Sequence, residues 1–183
     1  MDKNFETHKA TLLLHADNFW IIDFRREDGR CHYWVRFYVD TARSSVHIEG
    51  DLGHCISCWG NANSIKNISD MMLNVPYWMG KFECSSNSFV WNERQARSQL
   101  EANTYDYYEE CSDQDEYYEM IGEIMDTFDE DKGITLCTRE AHDYWNELGL
   151  DESSPMHYGR NIHPRVKLWA EAFDLALKQL GLK

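Results

Sequence analysis

The chain has 183 residues, a net charge of −14, 43% hydrophobic and 14% aromatic residues. A chain this long buries roughly 70% of the surface its unfolded form exposes and needs no cross-links to fold, while its charge works against contact with nucleic acid or anionic membranes. A broad basic face for direct DNA binding is therefore not expected, nor is a membrane-spanning helix, because no apolar run reaches bilayer length.

The opening Met1-Asp2-Lys3-Asn4-Phe5-Glu6 lacks the basic stretch and apolar run of a secretory signal, which predicts a cytoplasmic protein. Its six cysteines, Cys31, Cys55, Cys58, Cys84, Cys111 and Cys137, are then expected as reduced thiols. Few Pro and Gly and no clear linker predict a single domain over residues 1–183, with strands in 1–60 and helices in 61–183.

Residues 19–26 are aromatic and β-branched, Asp28-Gly29 is a two-residue turn signal, and residues 31–39 alternate with Tyr33, Val35, Phe37 and Val39 on one face. This pattern predicts a β-hairpin. Val46 and Ile48, flanked by His47 and Glu49, predict a third strand, and Gly50-Asp51-Leu52-Gly53 a turn into a fourth at residues 55–59. A four-stranded antiparallel meander with one face covered by helices is the economical arrangement, which makes the fold class α+β.

After Ser64, a natural cap, Ile65, Ile68, Met72 and Leu73 take helical spacing until Pro76 interrupts it. Tyr77 to Phe82 reads as a second helical piece and Phe89-Val90-Trp91 as a short strand. Farther on, Tyr117, Ile121, Ile124, Met125 and Phe128 predict a helix behind Ser112-Asp113-Gln114-Asp115, which has the order of a capping box. Ala141, Tyr144, Trp145 and Leu148 predict another between Thr138 and Gly149. The last helix has one apolar stripe of Val166, Trp169, Ala170, Phe173, Leu177 and Leu180, with Pro164 in its first turn.

Chemical motifs are sparse. Cys55-Ile56-Ser57-Cys58 has the spacing with which two thiolates grip zinc, and His54 and Cys84 are available to complete a site. On a strand, however, the two thiols face opposite sides, so no metal and no other cofactor is expected. The twelve positions from Asp129 to Glu140 resemble a calcium loop, but Gly133 is one position early and Lys132 puts a cation among the ligands. Phosphate-cradling loops, dinucleotide fingerprints and nucleophile elbows are missing. His142 beside Asp143 and His163 before Pro164 could each serve as acid/base groups, but a chain of this size offers such pairs by chance, so an enzyme of unknown reaction is the less favoured alternative to a binding protein.

The strongest feature is the segment 98–131, whose 34 residues include 13 Asp or Glu and no Lys or Arg, leaving 19 acidic against 18 basic residues elsewhere. As one helical rod it would carry a negative charge every ~4 Å, and folded back on itself one every ~2 Å, against about 1.7 Å of axis for duplex DNA. Such a surface can compete for a site built to hold phosphates, with tyrosines supplying apolar contact. Asp106, Glu109, Glu110, Asp113, Asp115, Glu116 and Glu119 are the partner-binding candidates, the alternative being a solvated acidic face that binds nothing. The same stretch holds an echo, Asp106-Tyr107-Tyr108-Glu109 and Glu116-Tyr117-Tyr118-Glu119, read here as compositional bias.

Three stretches carry a family resemblance: Gly50-Asp51-Leu52-Gly53 leading to Trp59, Pro76-Tyr77-Trp78-Met79-Gly80-Lys81-Phe82-Glu83-Cys84-Ser85, and Gly159-Arg160-Asn161-Ile162-His163-Pro164-Arg165 followed by Leu168-Trp169. Together they resemble small proteins of bacteriophages and other mobile elements, a group that includes anti-CRISPR inhibitors of type II RNA-guided nucleases. The resemblance implies action in the bacterial host cell, with a type II nuclease and its guide RNA as the partner and acidic docking as the mechanism. Such effectors hold nucleic acid in positively charged channels. The residues alone leave a different basic host protein open as the partner.

Overall fold

The computed structural model describes residues 3–30, 32–150 and 155–183, so Cys31, at the expected start of the second hairpin strand, lies outside the described residues. In chain order the elements begin with β1 (His8–Ala16), β2 (Phe19–Arg26), β3 (Val35–Asp40), β4 (Ser45–Gly50) and β5 (Cys55–Cys58). Then come α1 (Ile65–Leu73), α2 (Val75–Met79), β6 (Phe82–Ser85) and β7 (Phe89–Trp91). The second half holds α3 (Glu93–Asn103), α4 (Tyr105–Glu110), α5 (Gln114–Met125), β8 (Phe128–Asp129), β9 (Gly133–Ile134) and α6 (Arg139–Glu147). It ends with β10 (Arg160–Ile162) and α7 (Pro164–Gln179). Contacts divide the chain into two compact units, Met1–Ser88 with His163–Lys183, and Phe89–Ile162.

The first unit is an antiparallel sheet in the order β1-β2-β3-β4-β5-β6, with helices packed on it. The α+β class and the N-terminal meander are as the sequence leads one to expect, with two strands more than the four anticipated. β1 escapes a reading by alternation because it is an edge strand: Leu12, Leu13 and Leu14 are consecutive and exposed, and a bulge falls between Leu12 and Leu14. Phe82 belongs to β6 rather than to a helix, since β5 pairs with it through Cys55↔Ser85 and Ile56↔Cys84.

The β2–β3 hairpin exists, but its connection runs from Glu27 to Trp34 instead of turning in two residues. Gly29, at φ 75°, closes only a local turn onto the Arg26 carbonyl, and the chain is then tied by Tyr33 N–H to the Asp51 carboxylate at 2.7 Å. Gly50, at φ 151°, is required where it stands, because a Cβ there would overlap the Trp34 carbonyl oxygen.

Alternation does the rest. Val35, Phe37, Val39, Val46 and Ile48 are fully buried, and the Phe37 ring meets Phe173 of α7 at 4.8 Å. Ser64 caps α1 by accepting the Asn67 N–H, and Pro76 sits in the first turn of α2. Leu73, expected on the apolar face of α1, is exposed instead: it falls in the last turn, beyond the buried positions Ile65, Ile68 and Met72. Val166, Trp169, Ala170, Phe173 and Leu177 of α7 are buried as their spacing demands.

The second unit is built on α3, α5 and α6. Ala96 and Leu100, then Tyr117, Met120, Ile121, Ile124 and Met125, and then Ala141, Trp145 and Leu148 share one core with Ile134 and Tyr158. A β7–β10 ladder joins the two ends of the segment through Trp91↔Arg160 and Phe89↔Ile162. Phe128, expected to continue α5, pairs with Ile134 in the short β8–β9 ladder. The cap of α5 also differs by one residue. Asp113, not Ser112, accepts the N–H groups of Asp115 and Glu116, because a carboxylate one position nearer the helix reaches both donors.

Candidate partner-binding surface

The two units divide the charge unequally. By sequence the second holds 19 acidic and 5 basic residues, which is the whole net charge of −14, while the first holds 13 of each and is neutral. Within the first unit Asp23, Glu27, Asp28, Asp40, Glu49, Asp70 and Asp174 all pair with Arg or Lys. None of the 13 acidic residues of 98–131 enters an ion pair among the described residues.

The segment is not one rod. It runs through the end of α3, then α4, α5 and β8, because Thr104 and Asp113 interrupt the helix. The seven candidate carboxylates are all exposed: Asp106, Glu109 and Glu110 on α4, Asp113 at the cap, and Asp115, Glu116 and Glu119 on α5. Three of the 13, Glu101, Glu123 and Asp129, are half-buried. Tyrosines join α4 to α5: Tyr107 lies 6.4 Å and Tyr108 5.1 Å from Tyr117, and Tyr108 lies 5.9 Å from Tyr118. The echo of two Tyr-Tyr pairs is therefore one spatial cluster, and it was the signal that could have located this site.

The acidic face reaches beyond Lys132, which sequence reasoning missed. The Tyr107 hydroxyl donates to Glu147 on α6 at 3.3 Å. Burial first, and then the Glu119, Glu123, Glu140 and Glu147 carboxylates, push the Tyr144 phenol above its ordinary range. Tyr105 is raised by its hydrogen bond to Glu109, Tyr107 and Tyr117 chiefly by burial, and Tyr118 by its bond to Tyr108. These phenols stay neutral in the physiological range, so the negative charge of the face comes from its carboxylates.

The other candidates are placed differently. Cys55 is buried and Cys58 half-buried on opposite sides of β5, Cys84 is exposed, and burial pushes the Cys55 thiol up to about 12. Among the described residues no three His, Cys, Asp or Glu are grouped to hold a metal ion. The Asp129 carboxylate accepts the Asp131 N–H within the β8–β9 turn, and Glu140 stands in the first turn of α6. Asp143 pairs with Arg139 at 3.6 Å, while His142 Nδ1 meets Asn146 Nδ2 at 3.2 Å. His163 caps α7 by accepting the Arg165 N–H, and burial followed by the Arg165 charge holds its pKa low. No helix among the described residues is long and apolar enough to cross a membrane.

Comparison with protein-family models, with curated proteins and with solved structures finds no match for this chain.

Proposed function

We propose that this protein binds a basic partner through the acidic face of α4, α5 and α6, and that the partner is a type II RNA-guided nuclease carrying its guide RNA, whose DNA binding or cleavage it hinders. The observation behind the docking half is the contrast in pairing: seven of the 13 carboxylates of the first unit pair with Arg or Lys, whereas none of the 13 of 98–131 has a cation partner among the described residues. Unpaired surface charge of one sign steers association with a complementary surface. The nuclease half rests on the family resemblance and on chemistry, since a channel that holds nucleic acid is positively charged.

The test replaces Asp106, Glu109, Glu110, Asp113, Asp115, Glu116 and Glu119 together by Asn or Gln. Folding is checked by circular dichroism and melting, and nuclease binding is measured at two salt concentrations. Exposed pairs contribute about 0–1 kcal/mol each, so single changes do little and seven together weaken binding by about a hundredfold or more. The salt dependence also flattens, because fewer screened charges remain. A folded variant that inhibits as well as the parent would overturn the acidic face as the docking site. Failure of the parent to capture the nuclease and its guide from expressing cells would overturn the choice of partner.

A further inference from the structure

The tyrosines of the acidic face do more than join two helices. Tyr105 and Tyr108 of α4, Tyr117 and Tyr118 of α5 and Glu101 of α3 line a groove of about 180 Å³. Its rings are inclined to one another rather than stacked flat: Tyr108 and Tyr117 at 62°, Tyr117 and Tyr118 at 70°, and Tyr108 and Tyr118 at 59°. Tyr117 forms a buried floor, whereas Tyr105 and Tyr118 are 54% and 52% exposed.

Several inclined electron-rich faces around a small hollow attract a cation through the ring quadrupoles, and a carboxylate at the wall adds charge and hydrogen-bond acceptors. Cations of this chain do lie over its other rings, with Arg25 and Arg36 over Trp34, Lys81 over Tyr77 and Arg160 over Phe89. No cation of the described residues lies over Tyr105, Tyr108, Tyr117 or Tyr118. The phenols of Tyr105, Tyr117 and Tyr118 are all held above their ordinary range and remain neutral, which keeps the wall aromatic and leaves Glu101 as its one formal charge.

We propose that this groove is an aromatic cage for one arginine side chain of the basic partner. Arginine fits better than lysine, because a planar guanidinium stacks on a ring face and still offers N–H donors in its plane to a carboxylate, here Glu101. The inference rests on the acidic face being a docking surface. It adds that one partner residue is held by shape and stacking, which salt screens less than it screens the exposed charges around it.

The experiment titrates the full chain, 13C-labelled on its tyrosine rings, with the peptide Gly-Arg-Gly-Arg-Gly and with the same peptide carrying lysine or citrulline. The arginine peptide is expected to shift the Tyr108 and Tyr118 ring resonances in a saturable way and to bind about tenfold more tightly than the citrulline peptide, with lysine between them. Tyr105→Ala with Tyr118→Ala, both at exposed positions, should weaken arginine binding about tenfold, while the corresponding Phe variants keep it and Glu101→Gln weakens it. Equal affinity for the arginine and citrulline peptides, or unchanged affinity of the folded double Ala variant, would overturn the cage.

A sixfold neutralised variant that keeps Glu109, and with it the Tyr105 hydroxyl bond, separates the two readings. If that variant loses the nuclease while the double Ala variant holds it as the parent does, the docking face stands and the cage falls. If the double Ala variant alone loses it, the cage stands and diffuse acidic docking falls.

Discussion

The Tyr117 hydroxyl and Thr104 Oγ1 lie 2.9 Å apart in the interior of the second unit. Thr104 gives its own proton to the Leu100 carbonyl at 2.9 Å, so Tyr117 is the donor and Thr104 the acceptor. The bond pins α5 to the turn between α3 and α4 and thereby sets the floor of the tyrosine groove. Tyr117→Phe should cost about 1 kcal/mol, the net worth of one hydrogen bond, because the Thr104 proton keeps its partner. Tyr117→Ala should cost about 3–5 kcal/mol, as for other large-to-small core changes. Urea unfolding checks both, and equal losses for the two variants would show that the ring contributes nothing.

Trp169 of α7 is fully buried, 6.4 Å from Trp78, yet its indole N–H has no hydrogen-bond partner among the described residues. Trp78, by contrast, donates to Ser57 Oγ at 2.9 Å. Trp169→Ala should therefore cost about 3–5 kcal/mol, whereas Trp169→Phe, which keeps a ring and removes an unsatisfied donor, should cost much less. Melting of the two variants decides it. If Trp169→Ala melted like the parent and lost only its partner, the residue would belong to a binding face.

Burial holds the His8 imidazole below its ordinary value of 6.5, ahead of the opposing bond to the His32 carbonyl, with Arg26 lowering it further and Asp51 acting the other way. The folded state thus favours the neutral ring. Above pH 6.5 this contribution is fully present, and it is lost as pH falls through the folded pKa, because the unfolded chain takes up the proton first. His163 is shifted in the same direction. Urea midpoints should fall between pH 7.5 and 5.5, and His8→Phe should flatten that slope. A slope unchanged by the substitution would remove His8 from the account.

Thiol reactivity should sort by burial. Cys84 and Cys137 are exposed, while Cys55 is buried with its pKa pushed up to about 12 by that burial. Iodoacetamide at pH 8 should label Cys84 and Cys137 in the native protein and reach Cys55 only in urea, because the thiolate is the reacting form. Native labelling of Cys55, read by peptide mass, would contradict its place in the core.

Features set by residues two to four positions apart are legible in the amino-acid order. Alternation at Val35, Phe37 and Val39 and the stripe from Val166 to Leu177 named their buried faces, and a count of charges located the acidic segment. What depends on contacts between distant residues becomes visible only in the folded chain. β1 and β6 are edge strands recognisable by their partners rather than by their pattern. The last helix returns to the sheet of the first unit across the 74 residues of Phe89–Ile162, which takes the whole net charge out of that unit. The carboxylates were legible one by one, but the groove was not. Tyr105 and Tyr108 meet Tyr117 and Tyr118 because Thr104 and Asp113 break the chain into short helices that fold back, and local periodicity carries no information about where such a break brings two faces together.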